Sequence, residues 1–299
     1  VTVINTNVSA TLASNAVSRN ERTMSTAMER LSTGKRINSA ADDAAGLAIA
    51  SRMSSQVRGL EQASRNSLDG ISMIQTIEGA GKEIVNIMTR MKELAVQANS
   101  GTYSNDDRAA LDAEFNELRS EINRIATNTS WNGKTLMDAK NADGSQNSGG
   151  STTVALQVGS GSNQTMNIVF KDWSMNYDTS TGNTTTGVYG DTDTAGLGAG
   201  VGVDSTTNAN NTLTALDNAI KNASAELANY GAYINRLEYA NDNLLNVAQN
   251  TDASRSRIED ADYASETSEL AKTQIIAQAG TAMLAQANQI KQTVLALLQ

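Results

Sequence analysis

The feature that most restricts the fold is the run from Leu60 to Ala98. Small or apolar residues recur there with an unbroken three-then-four spacing: Leu60, Ala63, Ser67, Gly70, Ile74, Ile77, Gly81, Ile84, Met88, Met91, Ala95 and Ala98. That rhythm is the seam of a helix packed along its whole length against other helices. A second stripe, Met73, Ala80, Ile87 and Leu94, lies beside it. Two adjoining stripes give a wide apolar face that touches more than one partner. As a helix, the run is about 60 Å long. Proline, which breaks helix interiors, is absent from all 299 residues.

Three further seams surround this one. From Leu213 the positions Leu216, Ile220, Ala223, Leu227, Tyr230, Ile234, Leu237, Asn241, Leu244 and Ala248 match the Leu60 run in length and spacing, so the two are natural bundle partners. Near the beginning, Ala10, Val17, Met24 and Leu31 recur every seven residues, with Ala13, Ala27 and Met28 beside them and Asn20 interrupting the stripe. The closing stretch repeats Thr273, Ile276, Gly280, Met283, Ala287, Ile290, Val294 and Leu297, with Ala277, Leu284 and Leu298 as a flanking stripe. So apolar a helix must be covered. Its only intrachain candidate is the weak first seam, so burial between copies is expected.

Between the long runs, Ser100-Gly101 ends one helix, and Asn105 with Asp106 and Asp107 opens the next, with the seam Leu111, Phe115, Leu118, Ile122 and Ile125. Trp131-Asn132-Gly133-Lys134 is a turn signal. Val154–Val158 and Met166–Phe170 read as paired strands around the Gly159–Asn163 turn. From Lys171 to Asn211, Gly, Ser, Thr, Asn and Asp dominate without periodicity, a surface excursion. The expected fold class is mainly α, a long antiparallel helical bundle with coiled-coil shells, a small β-hairpin region and an irregular outer loop. Terminal helices are expected over 1–33 and 264–299, connectors over 34–59 and 254–263, the bundle with its hairpins over 60–170 and 212–253, and the outer segment over 171–211.

Composition removes several functions. With no Cys and no His, disulfides, thiol catalysis and the commonest general base are excluded. The net charge of −9 argues against nucleic acid as a partner. No apolar run is long enough to span a membrane, and the first residues show no cleavable signal. No cofactor or metal is expected. Asp172, Asp178, Asp191 and Asp193 lack the spacing of a calcium loop. Asp42-Asp43 and Glu259-Asp260-Asp262 have no nucleophile beside them and read as helix-start charge and subunit contacts, so no enzyme is expected.

Long motifs carry a family resemblance. The start VINTN, the stretch LSTGKRINSAADDAAGLAIASRM (Leu31–Met53), QASRNSLDGISMIQTIEGA (Gln62–Ala80), MKELAVQANSGTYS (Met91–Ser104) and SRSRIEDADYASETSELAKTQIIAQAGTAMLAQANQ (Ser254–Gln289) resemble bacterial flagellins. The likeness spans about the first 170 and last 90 residues. Lys291 departs from it, standing where many flagellins carry proline.

The resemblance implies a structural subunit that self-assembles into the extracellular flagellar filament for motility after export by the flagellar type III apparatus. The terminal helices would form the inner domain, with Val17, Met24, Leu31, Ile276, Met283, Ile290, Val294 and Leu297 packing in the core and between subunits. Implied partners are further copies of the chain, the filament cap, the hook-associated junction protein and an export chaperone at the C-terminal segment. A host Toll-like receptor would read Arg90, Leu94 and Glu114. Alternative readings are a hook–filament junction protein, or a surface adhesin binding carbohydrate through Trp173, Tyr177 and Tyr189.

Overall fold

The computed structural model describes residues 7–138, 151–175 and 201–296, and side chains within these up to residue 289. It is mainly α. The order is α1 (Val8–Thr33), α2 (Ala44–Ala98), α3 (Asn105–Asn128), the short strands β1 (Ser130–Trp131) and β2 (Lys134–Thr135), β3 (Ser151–Gln157), β4 (Thr165–Lys171), α4 (Thr206–Glu259) and α5 (Tyr263–Ala296). Two compact units form. One draws on the chain up to Arg58 and from Ala248; the other runs from Gly59 to Val247.

In the Gly59–Val247 unit, all twelve positions of the Leu60 seam are buried. Seven of them, Ile74, Ile77, Ile84, Met88, Met91, Ala95 and Ala98, share one core with Phe115 and Ile122 of α3, Leu216, Tyr230 and Leu237 of α4, and Ile168 and Phe170 of β4. Helices α2 and α4 run antiparallel: Ser64 donates to Asn241 Oδ1 at 2.6 Å, and Lys92, farther along α2, pairs with Asp217, farther back on α4. A capping box starts α3. Ser104 Oγ accepts from Asp107 N at 3.2 Å and the Asp107 carboxylate accepts from Ser104 N at 2.9 Å, so two orphan amides are satisfied reciprocally.

Both expected turns are present. β1 and β2 pair antiparallel around Asn132 and Gly133, which have φ of 49° and 76°. Positive φ at both central residues is the demand of a type I′ hairpin, and Asn-Gly meets it. β3 and β4 pair with Val154 opposite Ile168 and Leu156 opposite Met166. The β4 residues Met166, Ile168 and Phe170 alternate inward, as one half-buried strand should.

Two expectations need correction. Residues 34–59 and 254–263 are not connectors throughout, because α2 already begins at Ala44 and α4 continues to Glu259. Asp43 Oδ1 accepts from Gly46 N at 2.8 Å and caps an alanine-rich first turn. Gly46 costs about 1 kcal/mol relative to alanine, too little to stop such a helix. The shoulders of the 171–211 segment are also not a surface excursion. Trp173, Met175, Val203 and Ala209 are buried, and Trp173 Nε1 donates to Tyr230 Oη at 3.2 Å. Apolar residues at the margins of a polar run belong to the core beside it.

In the unit built from the chain ends, Gly34 N donates to Arg30 O and closes α1, and Ala261 N donates to Gly34 O. Asp42 accepts from the Ser39 and Asn38 amides at 2.8 and 3.1 Å. These bonds, Ser39 first, hold the Asp42 carboxyl below its ordinary 3.8. The stabilisation is therefore present above pH 3.8 and disappears as pH falls through the lower folded value. Asp42→Asn should unfold at a lower temperature than the parent at neutral pH, with the gap closing in acid. A calorimetric pH series checks this. Ile84→Ala, at a fully buried seam position, should cost about 2–5 kcal/mol, read as a lowered thermal midpoint of the Gly59–Val247 unit.

Candidate functional site

The candidate site is the surface of the α1–α5 pair. The inward stripe of α1 is Ala10, Ala13, Val17, Asn20, Met24, Ala27 and Leu31, all buried or half-buried. The partner stripe on α5 is Thr273, Ala277, Gly280, Leu284 and Ala287. Val17, Met24 and Leu31 therefore pack against α5 within one chain.

Ile276 and Met283 behave differently. They remain 44% and 60% exposed, while the flanking Ala277 and Leu284 turn inward. Periodicity alone does not separate these stripes, since α5 is apolar around most of its circumference and either stripe keeps the helical rhythm. Ile275 on α5, and Val8, Leu12 and Met28 on α1, are exposed as well. So many large apolar side chains uncovered on one helix pair make this face the candidate association surface. Ile290 and Val294 fall on α5 beyond the described side chains, and Leu297 lies outside the described residues.

Polar contacts fix the pair at four levels. Tyr263 Oη donates to Leu31 O at 2.7 Å, Arg30 Nη1 lies 3.1 Å from Glu266 Oε1, Asn20 Nδ2 donates to Thr273 O at 2.7 Å, and Asn7 Nδ2 donates to Ala287 O at 3.3 Å. Sequence reasoning treats Asn20 as an interruption, yet it is only 9% exposed and sits in the seam. Its place in the spacing Val17, Asn20, Met24 is the signal that marks it as inward-facing.

The acidic groups serve the helix junctions. Asp43 caps α2, Asp262 Oδ1 accepts from Ala264 N at 2.9 Å to cap α5, and Glu259 pairs with Lys35. Asp172 is buried, and its Oδ1 accepts from Ser174 N at 2.7 Å. Asp178, Asp191, Asp193, Tyr177 and Tyr189 lie outside the described residues.

The three proposed recognition residues do not share one surface. Arg90 Nη2 meets Glu114 Oε1 at 2.9 Å and Arg90 Nη1 meets Glu93 at 3.0 Å, all on the exterior. Bonding to Glu114, then Glu93, raises the Arg90 pKa further. Leu94, four residues on, is 1% exposed and belongs to the core. The i, i+4 relation puts residues on neighbouring lines of a helix, but here those lines straddle the edge of the apolar face.

A well-filled helical body with an incompletely covered helix pair made from both chain ends defines a structural protein of the assembly-subunit class. Comparison with known proteins agrees. The bacterial flagellin N-terminal helical region matches residues 4–142, and the bacterial flagellin C-terminal helical region matches residues 213–298. A flagellin of Halalkalibacterium halodurans is 42% identical over 297 residues, covering 99% of this chain and 100% of that protein. The flagellar filament 31.3 kDa core protein of Treponema maltophilum is 37% identical over 297 residues, with the same 99% and 100% coverage. A solved structure described as a flagellar hook-associated protein from Vibrio parahaemolyticus gives a TM-score of 0.54 at 10% identity, covering 73% of this chain and 100% of that chain, a likeness of fold alone. The chain belongs to the bacterial flagellin family. Among the described residues no helix is long and apolar enough to cross a membrane.

Leu94→Ala should cost about 2–5 kcal/mol of stability, whereas Arg90→Ala at the exposed ion pair should shift the thermal midpoint little. Thermal unfolding of the two variants side by side checks the division of roles.

Proposed function

We propose that this chain is the structural subunit of an extracellular bacterial flagellar filament and that its α1–α5 pair is the surface through which copies assemble. The observation that carries this reading is the exposed stripe Ile276 and Met283, with Leu12 and Val8 on the adjoining helix. Burying each such side chain is worth about 1.5–3 kcal/mol. Lateral stacking of many copies thus supplies what a lone two-helix unit lacks. In this reading the terminal helices are the part of the chain that meets other copies. The role is mechanical and non-enzymatic. The full-length likeness at 37–42% to proteins named flagellin and filament core protein supports it over a junction protein, for which the likeness is one of fold.

Further partners follow from family membership as proposals: a filament cap, a hook-associated junction protein and an export chaperone holding the α5 segment. A host Toll-like receptor reading Arg90 and Glu114 is another. Leu94 would act there by holding the backbone beneath those two residues rather than by touching the receptor. The adhesin reading loses Trp173, whose ring is enclosed against Tyr230.

Met283→Asp, or Ile276→Asp, places a charge where copies would meet and desolvate it. Each variant should leave the thermal midpoint of the 59–247 unit unchanged and abolish seeded polymerisation in sedimentation and negative-stain microscopy. Deleting Leu270–Gln299 should give the same folded, non-polymerising protein. Normal filaments from either would remove the assembly role of this face.

A further inference from the structure

We infer that Asn20 is a specificity-determining residue for assembly, setting the register in which the first and last helices pair; this rests on the assembly reading above. The facing stripes are built largely from small residues, Ala10, Ala13 and Ala27 against Ala277, Gly280 and Ala287. Such stripes attract each other almost equally well after a slip of one heptad, since apolar contact is non-directional. Something polar or steric must choose, and a single polar residue in an otherwise apolar seam is the device that does so in coiled coils.

Beyond the Gly34–Ala261 junction and the Arg30–Glu266 pair at one end, two features three residues apart on α1 make that choice within the seam. Asn20 Nδ2 donates to the carbonyl oxygen of Thr273 at 2.7 Å in a buried setting. In a helix that oxygen lies beneath the side chain four residues on, here Ala277, which leaves it open. Slipping α5 by seven residues either way would offer Asn20 the carbonyl of Glu266 or of Gly280. Those lie beneath Leu270 and Leu284, which cover them. The Asn20 amide would then be buried without a partner, a loss of the kind that makes buried polar groups selective.

Val17 supplies the steric half. A Cβ built at Gly280 would stand 2.7 Å from Val17 Cγ2, closer than real side chains approach. The slipped registers bring Val17 opposite Thr273 or Ala287, both of which carry that Cβ. Native register therefore satisfies Asn20 and gives Val17 room, and each one-heptad neighbour fails on both counts. The register matters because it sets which exposed α1 residues stand beside Ile276 and Met283, and so the surface offered to the next copy.

The chain lacks cysteine, so spin labels can be placed at Ser14→Cys and Gln278→Cys, both exposed positions. The full-length labelled chain is diluted into unlabelled chain, polymerised by seeding, and read by pulsed electron paramagnetic resonance. The parent should give one narrow distance. Asn20→Leu should keep the helix content but add a second distance shifted by up to about 10 Å, the rise of one heptad, with filament yield reduced severalfold. Asn20→Ala guards against a packing failure specific to leucine and should show the same second distance. A single unchanged distance with parental filament yield in both variants would overturn the proposal, as would a broad distance in the assembled parent. If the parent does not polymerise at all, the assembly reading fails, and the distances measured on unassembled chain still decide whether Asn20 sets the register.

Discussion

How much apolar surface two helices can hide from water is the constraint on which this structure turns. A pair of helices covers one stripe on each member and leaves the remainder to solvent or to a partner. The 59–247 unit escapes that limit because α2 is met on several sides by α3, α4, β4 and the enclosed Trp173. Its two adjoining stripes are both used within the chain, with Ile77, Ile84 and Met88 essentially inaccessible. Among the described residues, the unit made from the chain ends has no such third layer against α5. Its small inward residues allow close approach, but three large ones on α5, Ile275, Ile276 and Met283, face outward. One polypeptide thus holds a self-sufficient body and an unfinished surface, which is what a subunit of an indefinitely repeating assembly requires.

Polar groups in the end unit act as alignment rather than as adhesive. Arg30 with Glu266, Asn20 with Thr273 and Asn7 with Ala287 are spaced along the pair, each joining residues more than two hundred positions apart. Surface ion pairs contribute little free energy. A buried amide that has one open carbonyl in reach discriminates strongly between arrangements.

Much of the architecture was legible in the order of residues. The Leu60 and Leu213 seams, the Asn132-Gly133 hairpin and the β3–β4 pairing follow from spacing and turn chemistry, because in each case only one arrangement satisfies both. Helix starts were less legible. The Asp42-Asp43 run reads as a cap, yet no breaker separates it from Leu60, so α2 simply propagates from Ala44. The α5 face was illegible for a different reason: a helix that is apolar nearly all round has no amphipathic signal to orient it. The burial of Thr273 and Gly280, with Asn20 and Val17 against them, shows which stripe is inward. Leu94 illustrates the same limit from the other side, where lying one turn from Arg90 says nothing about which of the two crosses into the core.

The central claim is that α1 and α5 complete their burial only between copies, while the 59–247 unit is complete in one. Hydrogen–deuterium exchange on unassembled chain and on assembled filaments measures this directly. The account predicts that protection of amides in α1 and α5 rises by orders of magnitude on assembly, with peptides covering the Leu60–Ala98 seam already protected in the single chain and little changed. Equal protection of α1 and α5 in both states, or a gain confined to the 59–247 unit, would contradict it.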